Sequence, residues 1–543
     1  MSTIFEFTNQ KLGDRTPSQV ILMTVGCMVA IKVASDALSE GRLCTRAYKW
    51  TWRGIRSLAD PFIKKQISKI AAGLKMPEVP GEFKCLELPK EGFSHEKVFE
   101  LVKTMHSNLD KDYADGGFSG AVYHGGQEHT KFMNEVMAMF QWSNPLHSDI
   151  FGATRKMEAE IVSMVIHMYN GHLLPSACGV VTSGGTESIL MAMKTYRDWA
   201  RDTKGITNPS VIAPITAHTA FDKAAEYFGI ELIKIPVCPD TGRVDPQEME
   251  KYIRYNTIAI VGSGPNFPHG VVDPIEELSE IAYRHNIGMH VDCCLGGFIM
   301  PFLEKTGRKA PIVDFRNRGV TSISCDTHKY GYAPKGTSTV LFRSKELRSY
   351  QFVCVAEWPG GLYCSPAVSG SKPGNVIAAT WASMVHFGLD GYVKNCDLIV
   401  STREKITDGI KKIPYLHIIG EPTASVFAFG SNQIDIFQMA AELSKRGWQL
   451  NTLQFPSGLQ FSVTMLQTNP GVADRFLKDV SEVGTVLINE QIRLRSEGKA
   501  VKVNEQSGTM YGTSQRVPDR TIIKDVLKEF MNAYYTTIQN AAA

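Results

Sequence analysis

The sequence predicts an α/β fold: a large domain on a mostly parallel sheet covered by helices on both faces, followed by a smaller α+β domain. Three observations carry that expectation. Short apolar, β-branched runs alternate with helix-period stretches from residue 179 to residue 291, the pattern of strands buried on both faces. A turn rich in glycine and hydroxyls, TSGGTES at 182–188, stands where the first of those strands gives way to its helix. A second turn, DTHKYGYAPKG at 326–336, separates short strands at 322–324 and 338–342. Its Gly331, Pro334 and Gly336 forbid a regular helix. Ligands of such sheets gather at the carboxyl ends of the strands, which is where both turns fall.

At 543 residues, with 43% hydrophobic and 21% charged side chains, the chain is folded over most of its length and holds two or three domains. A net charge of +3 leaves no general nucleic-acid footprint, so no nucleic-acid partner is expected. The 11 cysteines include no CxxC pair, which argues against a disulfide framework and a structural zinc site and fits a reducing compartment.

Taken in order, residues 1–17 are a short tail and 18–38 a candidate transmembrane anchor, SQVILMTVGCMVAIKVASDAL. Its uninterrupted apolar run spans only 20–31, and Lys32 would have to snorkel for the segment to span a bilayer. The same stretch also fits an amphipathic or core helix. The basic run from Arg42 to Lys69, opposed only by Asp60, places everything after the anchor in the cytosol. Residues 39–90 close with Pro77, Pro80, Gly81 and Pro89, which read as a linker. Within 91–143, helical spacing at 94–106 precedes a glycine-rich loop at 115–124; a second loop follows at 142–147.

The large domain is expected over 144–389, with a helix at 154–169. Strands follow at 179–182, 211–214, 232–235, 257–262 and 287–291, and helices at 187–199, 220–228 and 274–286. The smaller domain, 390–543, is expected to hold strands at 425–429 and 461–465, with helices at 434–446 and after Val472.

The chemistry starts from Lys329. An amine desolvated in a tight loop loses basicity and becomes available for Schiff-base chemistry, which makes Lys329 the candidate carrier of pyridoxal 5'-phosphate. That cofactor also needs a phosphate cradle and a carboxylate against its ring nitrogen. The turn at 182–188 offers glycines, a helix N-terminus and the hydroxyls of Ser183 and Thr186. Taken alone it fits a simple helix cap equally well. Because the turn is neither GxGxxG nor a Walker loop, dinucleotide and nucleoside-triphosphate readings lose support. Asp292 ends the next-to-last strand before the Lys329 loop and can hold a pyridine nitrogen protonated. His290 and Asp292 could instead be metal ligands, but no further ligand cluster accompanies them, and no metal is expected. His218 falls between cradle and Asp292, where an imidazole can stack on a flat ring.

Together, GAVYHG (120–125), WSNPLHSDIF (142–151), VTSGGTESILMA (181–192), FPHGVVDP (267–274), HVDCCLGGF (290–298) and DTHKYGYAPKG (326–336) resemble the group II decarboxylase family of fold-type I pyridoxal-phosphate enzymes. Within it they resemble the branch that cleaves phosphorylated sphingoid bases. The resemblance runs from the N-terminal anchor to GTMYG at 508–512. It implies that Lys329 forms the Schiff base, that Asp292 pairs with the pyridine nitrogen and that His218 stacks on the ring. Gly185, Thr186 and Thr327 would hold the cofactor phosphate, with His328 also at the cofactor. It puts Tyr123, His147 and Lys335 at the substrate phosphate and Tyr363 close by. It further implies a homodimer, a single-pass endoplasmic reticulum anchor with a cytosolic catalytic body, and retro-aldol C2–C3 scission to a long-chain aldehyde and phosphoethanolamine. Lys329, His218 and the cofactor phosphate all remain open as the base. Cys293 beside Cys294 departs from the family's usual Ala-Cys and could alter thiol sensitivity. The alternatives are an amino-acid decarboxylase, distinguished by releasing carbon dioxide instead of aldehyde, and a membrane-tethered scaffold without catalysis, against which Lys329, Asp292, His218 and the GGT turn all stand.

Overall fold

In the computed structural model, residue 85, residues 87–498 and residues 520–535 are described. The anchor expected at 18–38 and the GTMYG loop lie outside them. Among the described residues no helix is long and apolar enough to cross a membrane. The chain divides into two compact units, 112–515 and 1–111 with 516–543. Of the second, two amphipathic helices are described, His95–Leu109 and Arg520–Tyr534. The first of these is capped by the Ser94 hydroxyl, which accepts from the Lys97 N–H, as expected of a serine ahead of a helix-period run.

The unit 112–515 is built on a seven-stranded sheet. Its strands are β1 (Cys178–Thr182), β2 (Ser210–Pro214), β3 (Glu231–Ile235), β4 (Thr257–Ser263), β5 (Gly288–Asp292), β6 (Ser322–Cys325) and β7 (Ser338–Phe342), in the spatial order β1-β7-β6-β5-β4-β2-β3. β2 pairs in parallel with β3 and β4, β4 with β5, and β5 with β6; only β7 runs antiparallel, against both β1 and β6. The loop that carries Lys329 is too short for a crossover helix, so the chain must turn straight back after β6.

Alternation along the strands divides the core in two. Val181, Ile212, Ile260, Val291 and Leu341 face one apolar cluster, while Val180, Val211, Ala213, Ala259, Val261, Val340 and Phe342 face the other, as a period of two requires. The first cluster is covered by helices Gly152–Met168 and Ile275–Arg284, the second by Gly185–Lys204 and Ala220–Phe228. Helix Gly185–Lys204 ends at Gly205, whose left-handed φ of 67° closes its last turn.

Two helices absent from the sequence expectation, Gln127–Met139 and Gly374–Lys411, pack together beside this sheet. The longer one breaks helical geometry at Gly388. Downstream of a two-stranded hairpin, β8 (Val353–Val355) and β9 (Tyr363–Ser365), lies a four-stranded antiparallel sheet of β10 (His417–Ile418), β11 (Val426–Gly430), β12 (Asn451–Leu453) and β13 (Gly458–Ser462), ordered β10-β11-β13-β12. Helices Ile436–Lys445 and Val472–Ser496 pack on it around Phe427, Trp448, Phe461 and Phe476. The strand expected at 461–465 ends at Ser462, because Thr464 and Gln467 form a capping box that starts a 3-10 turn at Met465.

Candidate active site

Since β1, β5 and β6 run in the same direction, their carboxyl ends share one end of the sheet, and there the turn at Gly185 meets two turns that follow it by more than a hundred residues. Gly185, the first residue of its helix, is the point of contact. A β-carbon at that position would lie 2.6 Å from Cys294 Sγ and 2.8 Å from Asp326 Oδ1, so a larger residue fits only if those two buried side chains move. Gly184 abuts the ring of His328, with a β-carbon there falling 3.4 Å from Cε1. No side chain caps this helix N-terminus, and its first amides face the edge where the Lys329 loop lies. Thr186 is exposed beside them. Glu187 fixes the turn: its Oε2 accepts from the Ser183 N–H at 2.6 Å and its Oε1 from the Val368 N–H at 2.8 Å.

The Lys329 ammonium is half-buried and lies 2.8 Å from Asp326 Oδ2. Sequence reasoning expected desolvation to lower its pKa; the structure reverses the sign. Burial does act downwards, but the Asp326 carboxylate outweighs it and raises Lys329 above its ordinary range. Asp326 is the functional residue that sequence reasoning missed, although its place three residues before Lys329 was a usable signal. Its second oxygen, Oδ1, is buried without a hydrogen-bond partner, an unsatisfied acceptor pointing at the Gly185 turn. Thr327 is fully buried and donates to Thr337 Oγ1 at 3.0 Å; His328 Nδ1 accepts from the Thr337 N–H at 3.3 Å.

Asp292, at the end of β5, accepts from the Cys294 N–H at 3.0 Å and the Ser324 hydroxyl at 3.2 Å, both on Oδ1. Burial alone would raise its pKa, but the neighbouring His218 and the Cys294 amide prevail and hold the carboxyl below its usual value. It therefore stays ionised. His218, exposed after β2, accepts from the Ala220 N–H on Nδ1 at 3.1 Å, leaving the proton of the neutral ring on Nε2. His290 has both ring nitrogens engaged, with Ser322 Oγ at 2.7 Å and Ser324 Oγ at 3.1 Å, so it is no metal ligand; it braces Ser324, which in turn bonds Asp292.

Of the residues assigned to the substrate by resemblance, two meet here. Lys335 Nζ lies 4.6 Å above the Tyr123 ring. Tyr123 is buried and within electrostatic range of Lys329 and Asp326, and burial pushes its phenol up to about 12. Burial and the Lys329 charge both lower the Lys335 ammonium. His147 and Tyr363 show no contact with Lys329 among the described residues: the His147 side chain is exposed with no hydrogen bond or ring contact there, and Tyr363 lies on an exposed hairpin against Trp358. Cys293 and Cys294 are buried, which pushes both thiols well up, so the unusual Cys-Cys pair does not add a reactive sulfur.

An uncapped helix N-terminus, a carboxylate kept ionised at a neighbouring strand end and a lysine between them fit pyridoxal phosphate: the amides would take its phosphate, Asp292 its ring nitrogen and Lys329 its aldehyde. With a mostly parallel sheet and these strand ends, the fold and site define a pyridoxal-phosphate enzyme of fold type I. The family model described as the pyridoxal-dependent decarboxylase conserved domain matches residues 121–431. Sphingosine-1-phosphate lyase 1 of Mus musculus is 42% identical over 96% of this chain and 90% of its own length. The sphingosine-1-phosphate lyase of Saccharomyces cerevisiae is 39% identical over 91% and 84%. The solved structure of a sphingosine-1-phosphate lyase from Burkholderia pseudomallei superposes with a TM-score of 0.74 at 38% identity, covering 78% of this chain and 98% of that one. The chain belongs to the sphingosine-1-phosphate lyases of the pyridoxal-dependent decarboxylase family, and pyridoxal 5'-phosphate is its cofactor.

Proposed function

We propose that this enzyme cleaves sphingosine 1-phosphate and related phosphorylated sphingoid bases at the C2–C3 bond, giving a long-chain aldehyde and phosphoethanolamine in sphingolipid degradation. The near full-length likeness to sphingosine-1-phosphate lyases carries this reading. When bound, the cofactor supplies an electron sink that makes the C2–C3 bond labile. The residues of the chain do the rest. Asp292, kept ionised, holds the proton on the ring nitrogen, and His218 covers the ring. Gly185, Thr186, Thr327 and His328 surround the phosphate end. Lys329 Nζ and His218 Nε2 both carry a proton in this arrangement and can return one to C2; either takes the C3 hydroxyl proton only after giving up its own. Lys335 beside Tyr123, with Lys329 within electrostatic range, supports recognition of a phosphate monoester, a dianion near neutral pH.

The finer expectations belong to the same proposal. Residues 18–38 anchor the enzyme in the endoplasmic reticulum membrane with the catalytic body in the cytosol, and the large domain 144–389 and small domain 390–543 assemble as a homodimer. His147 and Tyr363 act at the substrate in that assembly.

The test is to record the absorbance of bound pyridoxal phosphate in the full chain and to assay aldehyde release from sphingosine 1-phosphate, beside Lys329→Ala. A chromophore and aldehyde in the parent, both lost in the variant, are expected. Carbon dioxide released from an amino acid without aldehyde would replace this reading with a decarboxylase.

A further inference from the structure

Whether a cysteine in this chain can be oxidised depends on its exposure and on what faces it. Cys178, Cys293, Cys294, Cys325 and Cys396 are buried. Cys354 and Cys364 are both exposed and face each other. They lie on the hairpin of β8 (Val353–Val355) and β9 (Tyr363–Ser365), whose antiparallel register pairs Cys354 directly with Cys364. Their sulfurs are 3.1 Å apart.

Directly opposed residues in an antiparallel ladder have α-carbons about 4.5–5.5 Å apart, inside the span of about 4.4–6.8 Å that disulfides tolerate. Closure needs the sulfurs to approach by only about 1 Å. The ends of the hairpin hold the register. Lys194 Nζ donates to the carbonyls of Tyr350, Gln351 and Phe352 at 2.7, 3.2 and 3.2 Å. The Gln351 amide donates to the Pro366 carbonyl, tying the entry of the hairpin to its exit, and Glu187 holds the Val368 N–H. Between these anchors the hairpin is open to solvent, with Trp358 and Leu362 exposed.

We propose that Cys354 and Cys364 form a reversible dithiol–disulfide pair, a modification site oxidised by small-molecule disulfides such as oxidised glutathione. The shared contact raises the Cys364 thiol, so the first attack is assigned to Cys354. The Cys354 thiolate attacks one sulfur of the small disulfide, forming a mixed disulfide and expelling a thiolate. Cys364 then gives up its proton and attacks the Cys354 sulfur, expelling the second thiolate. Two protein thiols are oxidised, one small disulfide is reduced to two thiols, and the protons pass to the departing sulfurs. The bridge makes the hairpin covalent immediately beside Tyr363.

The test treats the full chain with oxidised glutathione, blocks free thiols by alkylation and maps peptides by mass spectrometry. The expected product is a Cys354–Cys364 cross-linked peptide that dithiothreitol reverses, with no glutathione on either residue. Cys364→Ser should leave glutathione stranded on Cys354, because the resolving sulfur is gone. Hydrogen exchange across 353–365 should slow on oxidation in the parent and not in Cys354→Ser. Glutathione on both cysteines of the parent without a cross-link, or both remaining free thiols under conditions that modify Cys238, would overturn the proposal.

Discussion

Asp326→Asn keeps the shape of the side chain and removes one charge 2.8 Å from Lys329 Nζ. At an effective dielectric of about 20, unit charges at that distance attract by about 6 kcal/mol, or about four pKa units. Without it, burial of the Lys329 amine is opposed only by Cys294 and Tyr123, whose own ionisation burial suppresses, and its pKa should fall below the ordinary lysine value of about 10.4. The assay is amine acylation of the cofactor-free full chain as a function of pH, with Lys329 followed by peptide mapping. In the parent, Lys329 should resist labelling up to about pH 11 while surface lysines react. In Asp326→Asn its midpoint should drop by several units, with an unchanged circular dichroism spectrum. The same midpoint in both proteins would refute the argument that Asp326 holds the proton. The variant tests the ion pair independently of turnover, since no substrate or cofactor enters the measurement.

Further outcomes follow from the same geometry. Gly185→Ala forces a β-carbon against Cys294 and Asp326 and should destabilise by about 1–3 kcal/mol while weakening pyridoxal-phosphate binding, read by absorbance titration; unchanged affinity would show that the three turns can separate freely. His290, fully buried, has its pKa pushed down to about 4, so the unfolded chain binds the extra proton first as pH falls. Its contribution is complete above about pH 6.5 and fades towards pH 4, a loss of about 2 kcal/mol at pH 5. Urea midpoints at pH 7.5 and 5 should therefore differ less in His290→Gln than in the parent, and an equal difference would contradict the buried neutral imidazole. Glu187→Ala frees the amides of Ser183 and Val368 and should cost about 1–3 kcal/mol, seen as a lower melting temperature.

Features contiguous along the chain were legible in its residues. Strand β7 falls on the residues expected, and β1 and β6 differ from expectation by one residue at an end, because apolar alternation and turn residues act over a few positions. The motifs around Gly185, Asp292 and Lys329 were legible for the same reason: each is a strand end with its following turn. Helix Gln127–Met139 was not legible. Its only buried residue is His129, and what holds it is packing against Gly374–Lys411, far along the chain.

How the motifs act on one another came from the folded arrangement. Strand order and direction bring Cys294 and Asp326 against Gly185, and that approach depends on sheet pairing over more than a hundred residues. The sign of the Lys329 shift was decided there as well, since burial and an ion pair oppose each other and only a distance can say which prevails. Tyr123 reaches Lys335 across more than two hundred residues, while His147 and Tyr363 make no contact with Lys329 among the described residues of the single chain. Local patterning selects elements and candidate chemistry; charge coupling and close contact are properties of distances that exist only after the chain has closed on itself.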